Sequence, residues 1–189
     1  MYESTKWYEK RLANGDYKKY INGDILDIGA GTDPVKSPFG ITREWDLPHG
    51  DGQYLAGILD NSVDCVYSSH SLEHMVDIEI TLTNWIRVLK PKGYLYMVIP
   101  DYDLYEKGKW PSKYNPDHKH SFSINKTRAD VGRQNHWNIC FDIFPILKKL
   151  NVEIKEVKLG DFGFDYNNFE EDQTLGNAES HILIVAQKR

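Results

Sequence analysis

The run Gly23-Asp-Ile-Leu-Asp-Ile-Gly-Ala-Gly-Thr-Asp33 constrains this chain more than any other, because an apolar segment ends directly in two closely spaced glycines. Ile25, Leu26 and Ile28 are β-formers suited to a strand covered on both faces, as in a parallel sheet. Gly29 and Gly31 allow backbone angles and a closeness of approach that a Cβ forbids. A strand that ends this way delivers its backbone to a nucleotide-like ligand. Asp27 is the odd member, since a carboxylate at the end of a buried strand is costly unless it meets a partner, and a ligand ammonium is one candidate.

The rest of the chain alternates strand-like and helix-like segments. Residues 3–20 are charged and aromatic, forming a short leading helix or arm with Trp7, Tyr8 and Tyr17. After the first strand, Pro34, Pro38 and Gly40 leave little room for a full crossover helix before Glu44-Trp45-Asp46. Val63–Ser68 reads as a buried strand. Leu72–Leu89 has helical spacing with Ile78, Leu82, Trp85, Ile86 and Leu89 on one face, ended by Lys90-Pro-Lys-Gly93. Tyr94–Ile99 is the next strand, and Asp101 to about Ser121 is a long polar connection. Phe141–Leu150 reads as a last helix kinked at Pro145, followed by strands at Val152–Leu159 and His181–Ala186. This order argues for a mainly parallel, three-layer α/β sheet in one domain spanning 1–189, with 1–20 as an arm and 101–136 as a substrate-side insertion.

Composition narrows the partners. A net charge of −5 gives no general attraction to phosphate backbones, so nucleic acid is not an expected partner. The sequence holds neither a signal-peptide core nor an apolar run of the roughly 20 residues a membrane helix needs, so no membrane partner is expected and the location read from it is cytoplasmic. Cys65 and Cys140 lack metal-ligand spacing and read as small, buried, reduced residues.

Four segments, taken in order, resemble the class I S-adenosylmethionine-dependent methyltransferases. Leu26-Asp-Ile-Gly-Ala-Gly-Thr resembles the family's first motif, and Trp45-Asp46 the acidic end of its second strand. Asp60-Asn-Ser-Val-Asp64 with Ser68-Ser-His-Ser-Leu-Glu-His74 resembles the fourth-strand region, and Arg87-Val-Leu-Lys-Pro-Lys-Gly93 the turn before strand five. The resemblance spans roughly residues 22–100. A glycine pair is shared with dinucleotide-binding enzymes, but Pro34 stands where their third glycine belongs, which disfavours nicotinamide and flavin cofactors. The resemblance implies a Rossmann-like, doubly wound fold with an antiparallel terminal strand and S-adenosylmethionine as cofactor, leaving S-adenosylhomocysteine. The short second-strand crossover and Pro100-Asp101 are similar to bacterial methyltransferases of surface-polysaccharide pathways.

The same resemblance implies residue roles. Gly29, Ala30 and Gly31 would pass beside the methionine part of the cofactor, with Asp27 on its ammonium. Asp46, 19 residues after Asp27, would accept the ribose hydroxyls. Asp51 and Gly52 would lie at the adenine, and Ser68 completes the cofactor set. For Asp51 a plain turn role beside two glycines is the competing reading. His70 emerges just past a buried strand, where an unperturbed pKa near ~6.5 suits a base, and His120 is the second candidate. Tyr102, Trp110 and His118 form the expected acceptor side. Glu73 and His74 read as a first-turn acid and a packing residue.

The expected function is methylation of a small polar acceptor, with O-methylation of a sugar or related metabolite favoured. N-methylation, a metal-dependent variant, and a catalytically silent cofactor-binding partner subunit stay open, as does a homodimer. Some methyltransferases of this class hold a divalent metal through Glu-x-x-Glu-His and a later histidine. His70 replaces the first glutamate here, so no metal is assigned.

Overall fold

The computed structural model describes residues 3–189. Six strands form one sheet in the order β2-β1-β3-β4-β8-β7. These are β1 (Gly23–Ile28), β2 (Gly40–Trp45), β3 (Val63–Ser69), β4 (Leu89–Pro100), β7 (Val152–Gly160) and β8 (His181–Lys188). Pairings β1–β2, β1–β3 and β3–β4 are parallel, whereas β8 runs antiparallel to both β4 and β7. The last strand of the chain is therefore the reversed one, inserted between two others. A Rossmann-like methyltransferase fold results, with β3 and β4 central and the carboxyl ends of β1 and β3 at one edge.

Alternation along the central strands sends side chains to two different cores. Leu26, Ile28, Val66, Leu95, Met97 and Ile99 meet Ile78, Leu82, Trp85 and Ile86 of α4 (Ile78–Val88). Ile25, Cys65, Tyr67, Tyr96 and Val98 meet Tyr17, Tyr20 and Ile21 of the leading segment. That segment is three short helices, α1 (Glu3–Lys6), α2 (Tyr8–Asn14) and α3 (Asp16–Lys19), with Gly15 in the left-handed region between the last two. Arg11 lies buried with its guanidinium 5.4 Å from the Tyr67 ring and 6.0 Å from that of Tyr96, which fixes the arm to the sheet.

Several sequence expectations change in detail. The helix expected from Leu72 begins only at Ile78, where Asp77 accepts a bond from the Ile80 amide at 2.9 Å and caps α4. Ahead of it lies a separate 3-10 turn, Leu72–His74. Leu89 is not helical; it opens β4. Pro145 lies inside a continuous helical run, in the first turn of α6 (Phe144–Lys149), which follows directly on a π-helical turn at Ile139–Ile143. The connection after β4 holds a two-stranded parallel piece, β5 (Ser121–Ser123) with β6 (His136–Asn138), and the short α5 (Arg128–Val131). Cys65 is buried as expected, but Cys140 is exposed. No helix among the described residues is long and apolar enough to cross a membrane.

Candidate functional site

At the carboxyl edge of β1 and β3 the sheet opens into a cleft of two lobes, the position where open α/β sheets bind ligands. The first lobe, a cavity of about 390 Å³, is walled by Asp27, Gly29, Ala30, Gly31, Ser69, His70, Glu73, His74, Tyr105, Asn115 and His118, with Glu3 and Ser4 of the arm closing one side. The second, about 260 Å³, is walled by Trp45, Asp46, Gly50, Gly52, Met75 and Asp117, and shares Gly29, His70 and His74 with the first.

The glycine loop is shaped as its sequence demands. Gly29 and Gly31 both have positive φ, at 78° and 55°. A Cβ at Gly29 would lie 1.9 Å from Ser71 Oγ, so no larger residue fits there. At Gly31 a Cβ would meet nothing within 4 Å; only the backbone angle requires glycine. Asp46 binds this loop from the end of β2, one carboxylate oxygen accepting from the Gly31 amide at 2.7 Å and the other from Leu47 at 2.7 Å. The acid thus links the end of β2 to the tip of the glycine loop.

Asp27 is 2% exposed, and one of its oxygens accepts from the Val35 amide at 2.7 Å. Burial pushes its carboxyl up to about 7, opposed by the Val35 bond and by Arg11. A cationic group entering the lobe would favour the ionised form. The sign of the linkage is testable. With its folded pKa raised above the unfolded value of about 4, Asp27 contributes stability below pH 4 that is lost as pH rises through 7. Buried histidines with lowered pKa, His70 and His181 among them, act in the opposite direction, so only a difference isolates Asp27. Asp27→Asn is expected to gain stability over the wild type as pH rises from about 4 to 7, by up to about 1.4 kcal/mol per pH unit, and to level off above. Paired melting curves across that range would show it, and a pH-independent difference would refute it.

His70 stands at the junction of the two lobes, its backbone in the left-handed region at φ 54° and its amide bonded to Val98 O at 2.9 Å. Its Nδ1 lies 3.7 Å from Glu73 Oε1. Burial, reinforced by His118 and His74, lowers its pKa to about 3 rather than leaving it near 6.5. It is therefore neutral at pH 7, and the burial that keeps it so also weakens it as a proton acceptor until a nearby negative charge favours the imidazolium. Glu73, read from sequence as a first-turn acid, is fully buried, and neither carboxylate oxygen has a hydrogen-bond partner among the described residues. Burial pushes it up to about 7, opposed by His118.

The other expected site residues divide. Ala30 and His118 line the first lobe and Gly52 the second, where Gly52 O accepts from Trp85 Nε1 at 2.9 Å. Asp51 is exposed, and its carboxylate caps its own turn through the Gln53 amide at 2.8 Å, the turn role its glycine neighbours allowed. Ser68 points away from the cleft into the α4 core; Ser69, one residue on, faces the cavity, because neighbours in a strand take opposite faces. His120 is outside both lobes, its Nδ1 accepting from Trp137 Nε1 at 3.0 Å and its Nε2 facing Val76 O at 3.3 Å. Tyr102 donates to Gly108 O at 2.6 Å and meets the His136 ring edge-on at 5.2 Å, while Trp110 packs on Arg133 at 4.5 Å. Both aromatics build the insertion and do not line the cavity. Tyr105, an aromatic neighbour of the two histidines in the sequence, does line the first lobe, whereas Asn115 and Glu106 were not singled out there. The only signal for them was their place in an aromatic segment after β4.

Comparison with known proteins gives a consistent fold. A family model described as "Methyltransferase domain" matches residues 35–97, about a third of the chain. No curated protein matches the sequence. Among solved structures, a SAM-dependent methyltransferase from Archaeoglobus fulgidus is 18% identical with a TM-score of 0.58, covering 100% of this chain and 95% of that one. An S-adenosylmethionine-dependent methyltransferase from Mesorhizobium loti is 13% identical with a TM-score of 0.55, and each chain is covered in full. The Haloferax volcanii complex with the Trm112 methyltransferase activator is 13% identical with a TM-score of 0.55, covering 98% and 93%. These likenesses are likenesses of fold. This chain shares the fold of these methyltransferase structures, with its cleft at the carboxyl edge of the sheet, and its residues 35–97 are similar to the methyltransferase domain.

Proposed function

We propose that this chain O-methylates a small polar acceptor, a sugar or related metabolite, in the first lobe of the cleft. The observation that carries this reading is the continuity of the cleft: a glycine loop held by Asp46 at one end, and an almost wholly polar wall of His70, Glu73, Asn115 and His118 at the other. S-adenosylmethionine, when bound, supplies an electrophilic methyl group. Asp27 then meets the ammonium, Asp46 the ribose hydroxyls, and Gly29 and Gly31 let the backbone pass close by. His70 accepts the acceptor's hydroxyl proton, and Glu73 at 3.7 Å favours the imidazolium that forms. Displacement at a sulfonium needs alignment more than covalent help, and orientation accounts for about 7–11 kcal/mol in favourable cases. The similarity to surface-polysaccharide methyltransferases supports the sugar, as do Tyr105 and Asn115 on the cavity wall.

The test is calorimetric titration with S-adenosylmethionine, S-adenosylhomocysteine and NAD, followed by a mass-spectrometric acceptor screen that begins with nucleotide sugars and sugar phosphates. Binding of the first two alone and a 14-Da gain on a sugar hydroxyl support the reading. Preference for NAD removes the methyltransferase reading, and methylation of an amine removes the acceptor assignment. A partner subunit is a second reading, favoured by the fold shared with the Trm112-bound chain; co-purification of an activator required for cofactor binding would establish it.

A further inference from the structure

Glu73, His74 and His118 face one another in the wall of the first lobe in an arrangement that hydrogen bonding within the protein does not explain. His118 Nδ1 is 2.6 Å from Glu106 Oε1, and His74 Nδ1 is 2.9 Å from Asp117 Oδ2. A carboxylate on Nδ1 fixes the proton there and leaves Nε2 as a bare lone pair. Both Nε2 atoms point at Glu73 Oε1, at 3.7 Å for His118 and 3.9 Å for His74. Three acceptors thus converge, two of them oriented by separate carboxylates. The separations are too long for hydrogen bonds. They lie close to the distance between two ligands on one ion, since metal–ligand bonds of ~2.0–2.2 Å place tetrahedral donors about 3.3–3.6 Å apart. The three ligand atoms all fall within 4.8 Å of one another, and Glu73 is fully buried with both oxygens unpartnered among the described residues.

We propose that Glu73, His74 and His118 form a binding site for a divalent transition cation of the zinc type, with an open coordination position facing the cavity. Two imidazoles and one carboxylate suit a borderline ion, whereas magnesium prefers an all-oxygen octahedral shell. Three protein ligands with a free fourth position is the pattern of catalytic zinc sites. His70 stays outside the ligand set, beside Glu73. The assignment rests on the reading of this lobe as the acceptor end of the cleft. A cation there would bind the acceptor's oxygen, lower the pKa of its hydroxyl and hold it near His70.

The experiment loads chelator-stripped protein with Zn²⁺ and with Co²⁺, and measures metal content by elemental analysis, melting temperature, and the visible spectrum of the cobalt form. One equivalent per chain, a raised melting temperature and the intense visible bands of a low-coordinate cobalt site are expected. Glu73→Gln is expected to abolish stoichiometric binding. Glu106→Gln, which leaves all three ligands in place but loosens His118, is expected to weaken it about 10–100-fold. The Glu106 variant keeps the test decisive where removal of a buried carboxylate prevents folding. Failure of the wild type to bind either ion, or wild-type affinity in both variants, overturns the site, as does binding of Mg²⁺ in preference to Zn²⁺. Calorimetry with S-adenosylmethionine on the same samples separates the two claims: cofactor binding without metal binding refutes this site alone, and metal binding without cofactor binding refutes the methyltransferase reading.

Discussion

Replacing His70 with asparagine is expected to lower methyl transfer about 10²–10⁴-fold, the contribution of a positioned general base, while leaving the affinity for S-adenosylmethionine unchanged. Asparagine is the substitution to use because it tolerates the left-handed backbone at this position, where φ is 54°. A loss of activity is then a loss of the imidazole and not of the turn. The matched variant His120→Asn is expected to keep near wild-type turnover, since Trp137 and Val76 engage both of its ring nitrogens outside the cleft. Steady-state kinetics with the acceptor found by the screen would decide between them. Undiminished turnover in His70→Asn removes the assignment, and loss confined to His120→Asn transfers it. A pH profile adds a second readout. Burial lowers the His70 pKa to about 3, so the acid limb that an ordinary histidine gives near pH ~6.5 should be missing from kcat/KM.

Asp46→Ala is expected to weaken S-adenosylmethionine binding about 10–100-fold. A charge-assisted hydrogen bond contributes about 1.5–3 kcal/mol, and each factor of ten is about 1.4 kcal/mol. The acid holds the loop in the structure, and the proposed function adds a second role. Its oxygens accept from the Gly31 and Leu47 amides, so it sets the glycine loop, and a carboxylate retains further lone pairs for ribose hydroxyls. The variant therefore loses an acceptor and the anchor of the loop together. Calorimetric titration measures the change, and an unaltered dissociation constant would mean that the second lobe does not hold the cofactor. Melting curves of the ligand-free variant report how much of the loss comes from the loop.

The elements that carry the fold were legible wherever the pattern is local. The β1 run, the alternation through Val63–Ser68 and the apolar face of α4 need only side-chain period and end signals, and they fall where expected within a few residues. The start of α4 was misread because Leu72 continues its apolar spacing. The chain instead makes a 3-10 turn and restarts at the Asp77 cap, since Ser71 must stay against Gly29 and bond Ile28 O at 2.9 Å. That contact joins segments 43 residues apart, and no local signal carries it.

The glycine-loop end of the cleft was legible for the same reason: Asp27, Gly29, Gly31 and Asp46 lie on or just past two neighbouring strands, and their spacing along the chain tracks their spacing across the sheet. The end built by the insertion was not. Tyr102 and Trp110 carry suitable chemistry, yet they turn into the insertion, whereas Tyr105 and Asn115 of the same segment reach the cavity. Irregular backbone has no period from which the direction of a side chain can be read.

By itself the sequence determined the strand that ends in a glycine loop, the acid on the neighbouring strand and a histidine at the edge of the next, because each depends on residue type and short-range spacing. Only the tertiary structure decided that Glu73 is buried without a partner, that Glu106 and Asp117 orient His118 and His74 toward it, and that His120 faces away. These are contacts between segments from 12 to 45 residues apart, made by loops whose course is set by the packing around them. Chemistry that depends on which lone pairs face each other is fixed at that level, where the sheet edge and the insertion after β4 come together.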